Sequence, residues 1–180
     1  MDFTVKSLRL SDQFVISCGT VAMDVKKSKV LLVHWRKTNE YFLPKGRKDR
    51  DERLEQTALR ETFEETGIRA KLLPVDIDTL ATIPSSSNDE DYLMGVTEPI
   101  AMSQRLTNKI LKVIFWYVAE ADSTATPVHG TQQENEEFDV VWEGFDDVTS
   151  TITFDDDRRI ARAAIAAVHK ATEPASSRSC

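Results

Sequence analysis

Apolar and polar positions along this chain alternate mostly in the short blocks of strands and, twice, in the longer rhythm of a helix. Residues 13–24 (QFVISCGTVAMD) and 29–35 (KVLLVHW) are apolar and β-branched, separated by a polar turn at 25–28, which predicts two strands in a hairpin. Residues 41–43 predict a short strand that stops at Pro44-Lys45-Gly46. Asp49 with Glu52 three residues on matches a capping box, and Leu54, Ala58, Leu59 and Phe63 recur at helical spacing until Gly67, so a helix is predicted there. One or two strands are expected in 68–83, the strongest strand signal is 109–119 (KILKVIFWYVA), and 139–145 is a further strand. Residues 155–171 start acidic, end basic and place Ile160, Ala164, Ala167 and Val168 on one face, which predicts a last helix.

Between these blocks, 84–108 is polar and broken by Gly95 and Pro99, which predicts a loop insertion, with 91–96 an edge-strand candidate inside it. A second loop is expected at 123–135 and a frayed tail at 173–180. Strands interspersed with two separated helices predict a mixed α/β fold, as one domain over 1–172.

Composition narrows the class. A chain of 180 residues with 41% hydrophobic and 29% charged residues suits one globular domain with a sizeable core. No apolar run approaches the roughly 18 to 20 residues of a membrane span, and the opening MDFTVKSLRL lacks a signal-peptide core, so no membrane and a cytoplasmic, also nuclear, location are expected, with secretion only if a signal peptide has been removed. Cys18 and Cys180 form no disulfide framework and have no metal-ligand spacing. A net charge of −7 argues against a general nucleic-acid binder. That average hides an asymmetry: 26–60 carries eleven Lys or Arg against five acids, whereas 120–157 carries twelve acids and no Lys or Arg.

The basic block surrounds the most informative stretch, 46–68 (GRKDRDERLEQTALRETFEETGI). At 100° per residue, Glu61, Glu64 and Glu65 fall within an arc of about 100° beside the apolar face. Like charges at i,i+3 and i,i+4 cost a few tenths of a kcal/mol per pair on an exposed helix and more where water is partly excluded. A divalent cation removes that cost, and hard oxygen ligands suit Mg²⁺ or Mn²⁺ shared with substrate phosphates.

Gly46, Glu52, Arg60-Glu61, Glu64-Glu65 and Gly67-Ile68 resemble the Nudix box, G-x5-E-x7-R-E-U-x-E-E-x-G-U with U apolar. Seven fixed letters at ordinary usage coincide by chance about once in 10⁸ to 10⁹ windows. Thr62 at the first U position is the one departure. The resemblance implies an α/β/α sandwich with a mixed β-sheet, and an enzyme that hydrolyses a diphosphate linkage by water attacking phosphorus with Mg²⁺ or Mn²⁺. Carried over by position, Glu61, Glu64 and Glu65 are metal ligands, one of them a candidate base, and Gly46 binds metal through its carbonyl. Arg60 orients a box carboxylate and Glu52 braces the approach to the helix. A further distal glutamate completes many such sites; Glu134, Glu136 and Glu137 are in position, with Glu136 preferred as a metal ligand and Glu137 as a catalytic carboxylate.

Lys45, Arg47, Lys48, Arg50 and Arg53 flank the Gly46 turn, a basic rim suited to a highly charged small-molecule diphosphate; the first four are the substrate-binding candidates. LPKGR with RETFEETG looks most like the branch that hydrolyses diphosphoinositol polyphosphates and diadenosine polyphosphates. Alternatives are mRNA decapping, hydrolysis of nucleotide sugars, ADP-ribose or oxidised nucleotides, and a non-catalytic phospholigand sensor. Capped RNA is thus the one nucleic-acid partner left open. Trp116, Tyr117, Trp142 and Cys18 are expected in the core.

Overall fold

The computed structural model describes residues 7–82, 95–134 and 136–172. Eight strands form one mixed sheet: β1 (Phe14–Asp24), β2 (Lys29–Trp35), β3 (Glu40–Phe42), β4 (Lys45–Arg47), β5 (Ala70–Leu72), β6 (Ala101–Thr107), β7 (Ile110–Ala121) and β8 (Phe138–Gly144). The helices are α1 (Leu54–Thr66), the short α2 (Val148–Thr151) and α3 (Asp155–Thr172).

The sheet explains where a site can open. β1 runs parallel to β7 over Phe14↔Leu111 to Met23↔Glu120, and every other pairing in the sheet is antiparallel. β1 and β2 pair only at Met23↔Val30 and Asp24↔Lys29. Beyond that point they part; β4 takes the free edge of β1 at Ser17↔Arg47 to Gly19↔Lys45, and β3 takes that of β2. The predicted hairpin is therefore a hairpin at its turn and two arms further out. α1 lies across β1 and β4.

Period-two alternation sends side chains of each central strand to two cores. On one face Val21, Met23, Leu32, Ile114, Trp116 and Val118 pack with α2 and with Ile160, Ala164, Ala167 and Val168 of α3. On the other, Cys18, Ala22, Leu31, Tyr117 and Ala119 meet Ala58, Leu59 and Ile68 at α1. The result is the expected α/β/α sandwich with a mixed sheet. Trp116, Tyr117 and Cys18 are buried as expected, and burial pushes the Cys18 thiol up to about 12.

Four local expectations change. α1 starts at Leu54 with Arg53 as N-cap, because 49–52 form a turn in which Asp51 takes φ 59° and Glu52 Oε2 accepts from Asp49 N. The side-chain cap is supplied instead by Gln56, whose Oε1 accepts from Arg53 N. The buried face of α1 is Thr57, Ala58, Glu61, Thr62, Glu65 and Thr66 rather than the Leu54–Phe63 arc. β6 occupies 101–107 of the stretch expected as a loop insertion, since β7 offers it an open antiparallel edge. Of the 91–96 strand candidate, Val96 forms a bridge with Val75 and 91–94 lie outside the described residues, as does the 173–180 tail. Among the described residues no helix is long and apolar enough to cross a membrane.

Candidate active site

A cleft opens where Trp35 of β2, Phe42 of β3 and Lys45 of β4 face Glu65 of α1, and the local sequence fixes how the helix meets the sheet. Gly67 at φ 68° ends α1 by donating its N–H to Phe63 O. At the other end of the contact Gly46 lies on β4, opposite Cys18. A Cβ on Gly46 would fall on the Glu61 carboxylate, so glycine is what allows that carboxylate to rest against the β4 backbone. Thr62, the one departure from the box pattern, is fully buried and its hydroxyl pairs with Thr20 Oγ1 at 2.7 Å. A polar residue is accommodated there because its partner comes from β1.

Arg60 organises the acids. Its Nη1 donates to Glu61 Oε1 and to Glu64 Oε2, each at 2.8 Å, so two box carboxylates converge on one cationic nitrogen. Its Nε donates to Glu52 Oε1 at 2.8 Å, and Nη2 reaches both Glu52 Oε2 at 3.0 Å and Arg47 O at 2.8 Å. Glu52 thus braces the turn, also accepting from Thr57 Oγ1, and the Arg60 bonds hold its carboxyl down at about 2. Glu65 turns toward β4, where Oε2 accepts from Lys45 N at 2.9 Å.

The electrostatics show what the arrangement lacks. Glu61 and Glu65 are only 7% and 5% exposed, whereas the Glu64 side chain is 34% exposed at the rim. Burial is the main cause that raises the Glu61 carboxyl, against the pull of Arg60; burial takes Glu65 to about 8, with Glu136 and Glu61 adding to it and Lys45 opposing. Glu61 and Glu65 resist ionising where they are buried, and the donors gathered around them are all hard oxygens. The residues therefore fit a divalent cation. In the arrangement seen, Arg60 holds part of that cluster, and among the described residues no three His, Cys, Asp or Glu side chains are gathered as a ready-made metal cage.

The distal glutamates divide. Loop 123–134 is tied over the end of α1: Thr131 Oγ1 donates to Glu64 O at 2.8 Å, and Gln132 Nε2 donates to Glu65 O at 3.0 Å and Phe138 O at 2.9 Å. This clasp brings Glu136 to the cavity beside Glu65 and Lys45. The Glu137 side chain is exposed, its backbone O accepting from Arg36 N, and Glu134 is exposed as well.

The basic rim also divides. Lys45 lies in the cleft with Nζ 4.8 Å from the Phe42 ring centroid. Arg47 and Arg50 are exposed, and Lys48 is half-buried with Nζ on Asp49 O. Two cations that sequence reasoning missed join from β6 and β7. Arg105 and Lys112 stand directly opposite each other on β6 and β7, a destabilising like-charge pair unless an anion lies nearby. Lys112 is half-buried, and burial, then Lys45, Arg105 and Arg47, lower its pKa. Its signal was legible: Lys112 shares the strand parity of Ile114 and Trp116, a charge in a core-facing register.

Comparisons with known proteins agree with this geometry. No curated protein matches the chain. Among solved structures, a NUDIX hydrolase from Nitrosomonas europaea is similar at 12% identity and TM-score 0.58, covering 84% of this chain and 88% of that one. An Ap4A hydrolase from C. elegans, solved as a binary complex, is similar at 17% identity and TM-score 0.58, covering 87% of this chain and 98% of that one. The MutT protein from Methanosarcina mazei Go1 gives 14% and 0.56, covering 92% and 100%. At these identities the likeness is one of fold. The sequence profile of the NUDIX domain, however, matches residues 14–166, which contain the sheet, the box helix and most of α3. With a fold, a box and a profile over residues 14–166 in agreement, the chain belongs to the NUDIX family and is a Nudix hydrolase.

Proposed function

We propose that this Nudix hydrolase cleaves phosphoanhydride bonds with Mg²⁺ or Mn²⁺, on diadenosine polyphosphates or diphosphoinositol polyphosphates. The observation that carries the reading is the convergence of Glu61 and Glu64 on a single nitrogen of Arg60, beside the buried Glu65, at the floor of a cleft rimmed by cations. Glu61, Glu64, Glu65 and the Gly46 carbonyl would hold the metal, with Glu136 as the distal carboxylate and Glu137 as a further catalytic carboxylate. Bound there, the metal supplies charge neutralisation at the anhydride and lowers the pKa of a water. Arg60 keeps Glu61 and Glu64 oriented and Glu52 anchors Arg60. Lys45, Arg47, Lys48 and Arg50, with Arg105 and Lys112 behind them, would take the charge of the non-scissile phosphates. A carboxylate of the cluster receives the proton of the attacking water, whose oxygen ends on phosphorus as the P–O bond to the leaving phosphate breaks.

The test is a panel of diadenosine polyphosphate, inositol pyrophosphate, capped RNA, ADP-ribose and oxidised dGTP, each with Mg²⁺, for the wild type and Glu64→Gln. Hydrolysis of a member of the proposed pair is expected at the highest catalytic efficiency, with ¹⁸O from water on a released phosphate. The variant is expected to fold and to lose more than nine-tenths of the activity. If it keeps more than a tenth, Glu64 is not a ligand.

A further inference from the structure

β6 lies at a side of the sheet. It pairs with β7 alone, through a hairpin whose two turn residues, Asn108 and Lys109, have φ 51° and 68°. Among the described residues no strand lies along its other edge, so alternate N–H and C=O groups of Ala101–Thr107 face away from β7.

Open edges are usually blunted by charges, proline or a bulge. β8, which pairs with β2 alone, carries Asp139 and Glu143. β6 has no proline, and its register runs unbroken from Ala101↔Trp116 to Thr107↔Ile110. Its one charge, Arg105, stands opposite Lys112 and has Nη2 3.8 Å from Asp157 Oδ1. Met102, Gln104 and Leu106 occupy the other face and are exposed, the two apolar ones at 56% and 60%. The register continues that strip inward: Met102 neighbours Phe115, and Leu106 neighbours Leu111, which neighbours Phe14, itself 37% exposed. An exposed apolar strip along an open edge marks a place of association.

The strand's own sequence says what fits it. Antiparallel pairing of β6 with a second β6, about a two-fold axis through Gln104, sets Met102 of each copy opposite Leu106 of the other. Both exposed apolar side chains then find an apolar partner, and Arg105 falls opposite Ser103 rather than another arginine. Beside the strand, a groove of about 450 Å³ between β6 and α3 is bordered by Asp156 and Arg159. Both are exposed, and neither forms an ion pair among the described residues. Asp157 between them lies by Arg105, next to the axis, so the two-fold brings the acid of one α3 toward the base of the other. The same operation on β8, about Val141, sets Asp139 opposite Glu143, like charges that oppose pairing.

We infer that this protein forms a two-fold dimer by pairing β6 with β6, which continues the eight-stranded sheet from one copy into the next. The dimer is independent of which diphosphate the cleft accepts.

Sedimentation velocity and light scattering of the full chain over about 1 to 100 µM test it, with a mass twice the 20.3 kDa of the chain expected. Met102→Glu and Leu106→Lys each put a charge against an apolar side chain of the other copy. Each is expected to weaken the dimer at least about tenfold, with an unchanged circular dichroism spectrum. Combined in one chain, the two substitutions set the new acid opposite the new base, and the dimer is expected to return. Gln104→Cys, in a chain that also carries Cys180→Ser, meets its counterpart at the axis and is expected to give a disulfide-linked dimer on mild oxidation. Met102→Cys in the same background lies about 13 Å along the strands from its counterpart and is expected to stay unlinked. If the charged variants fail to fold, this pair of cysteine variants decides alone. A monomer at every concentration, or a dimer that both single charges leave intact, overturns the inference. So does a double variant that stays monomeric, or linking through Met102→Cys in place of Gln104→Cys.

Discussion

Single residues decide the chemistry at two points. Gly46 is required by space, since its missing side chain is where the Glu61 carboxylate lies. Gly46→Ala must push Glu61 off β4 or move the strand, and a shift of about 1 Å in a catalytic group costs on the order of a hundredfold in rate. We expect a loss of kcat of that size with a stable fold, read by comparing turnover with the thermal melting curve; wild-type turnover in the variant would show that the contact does not position Glu61. Arg60 is the second point: one guanidinium meets Glu52, Glu61 and Glu64, which a lysine point charge cannot do with one geometry. Arg60→Lys is expected to lower kcat at least tenfold while thermal stability falls by only a few degrees, checked by steady-state kinetics and melting in parallel.

At the scale of elements, the turn between β1 and β2 is held by Asp24. Its Oδ1 accepts from Lys27 N, and its Oδ2 accepts from Ser123 N and Oγ just after β7, so one carboxylate ties the hairpin turn to the end of the neighbouring strand. The Ser123 and Lys27 bonds outweigh desolvation and hold its pKa at about 2. Because the folded value lies below the ordinary 3.8, the stabilisation is present above about pH 4 and is lost as pH falls toward 2. Asp24→Asn is expected to cost about 1 to 3 kcal/mol at neutral pH. Its deficit against wild type should shrink between pH 4 and 2 in denaturant melts; a constant deficit over that window would assign the loss to packing instead. The loop after β7 works in the same way through Gln132, which fastens the end of α1 to the start of β8 and sets Glu136 by the cleft.

For the whole molecule, stability and activity are housed in different places. The larger core lies between the sheet and α3, around Leu32, Ile114 and Trp116, while the carboxylates sit between the sheet and α1. That division explains why α1 can bury Glu61 and Glu65, threonines and a single alanine: the other face supplies the apolar burial that holds the fold. Leu32→Ala, fully buried in that core, is expected to cost about 2 to 5 kcal/mol. The kcat of the folded fraction should be little changed, as measured below the melting temperature; a parallel collapse of kcat would show that the two faces are coupled.

The box stretch could be read in the sequence because its information is local. Helical spacing puts Arg60, Glu61, Glu64 and Glu65 on one side of α1, Gly67 ends the helix, and the apolar stripe of α3 follows from its period, all without knowledge of partners. The polar interior of α1 was not legible, since Thr62 is satisfied by Thr20 and Glu65 by Lys45 N, groups supplied by β1 and β4. Nor were β4 and β6, which are strands because β1 and β7 present open edges to them. Arg105, Lys112, Trp35 and Asp157 come from separate parts of the chain, and their meeting beside Glu65 depends on sheet order and on where α3 begins. Spacing along a helix is fixed by its own backbone geometry, whereas the company a side chain keeps across a sheet is fixed by pairings that only the folded chain makes.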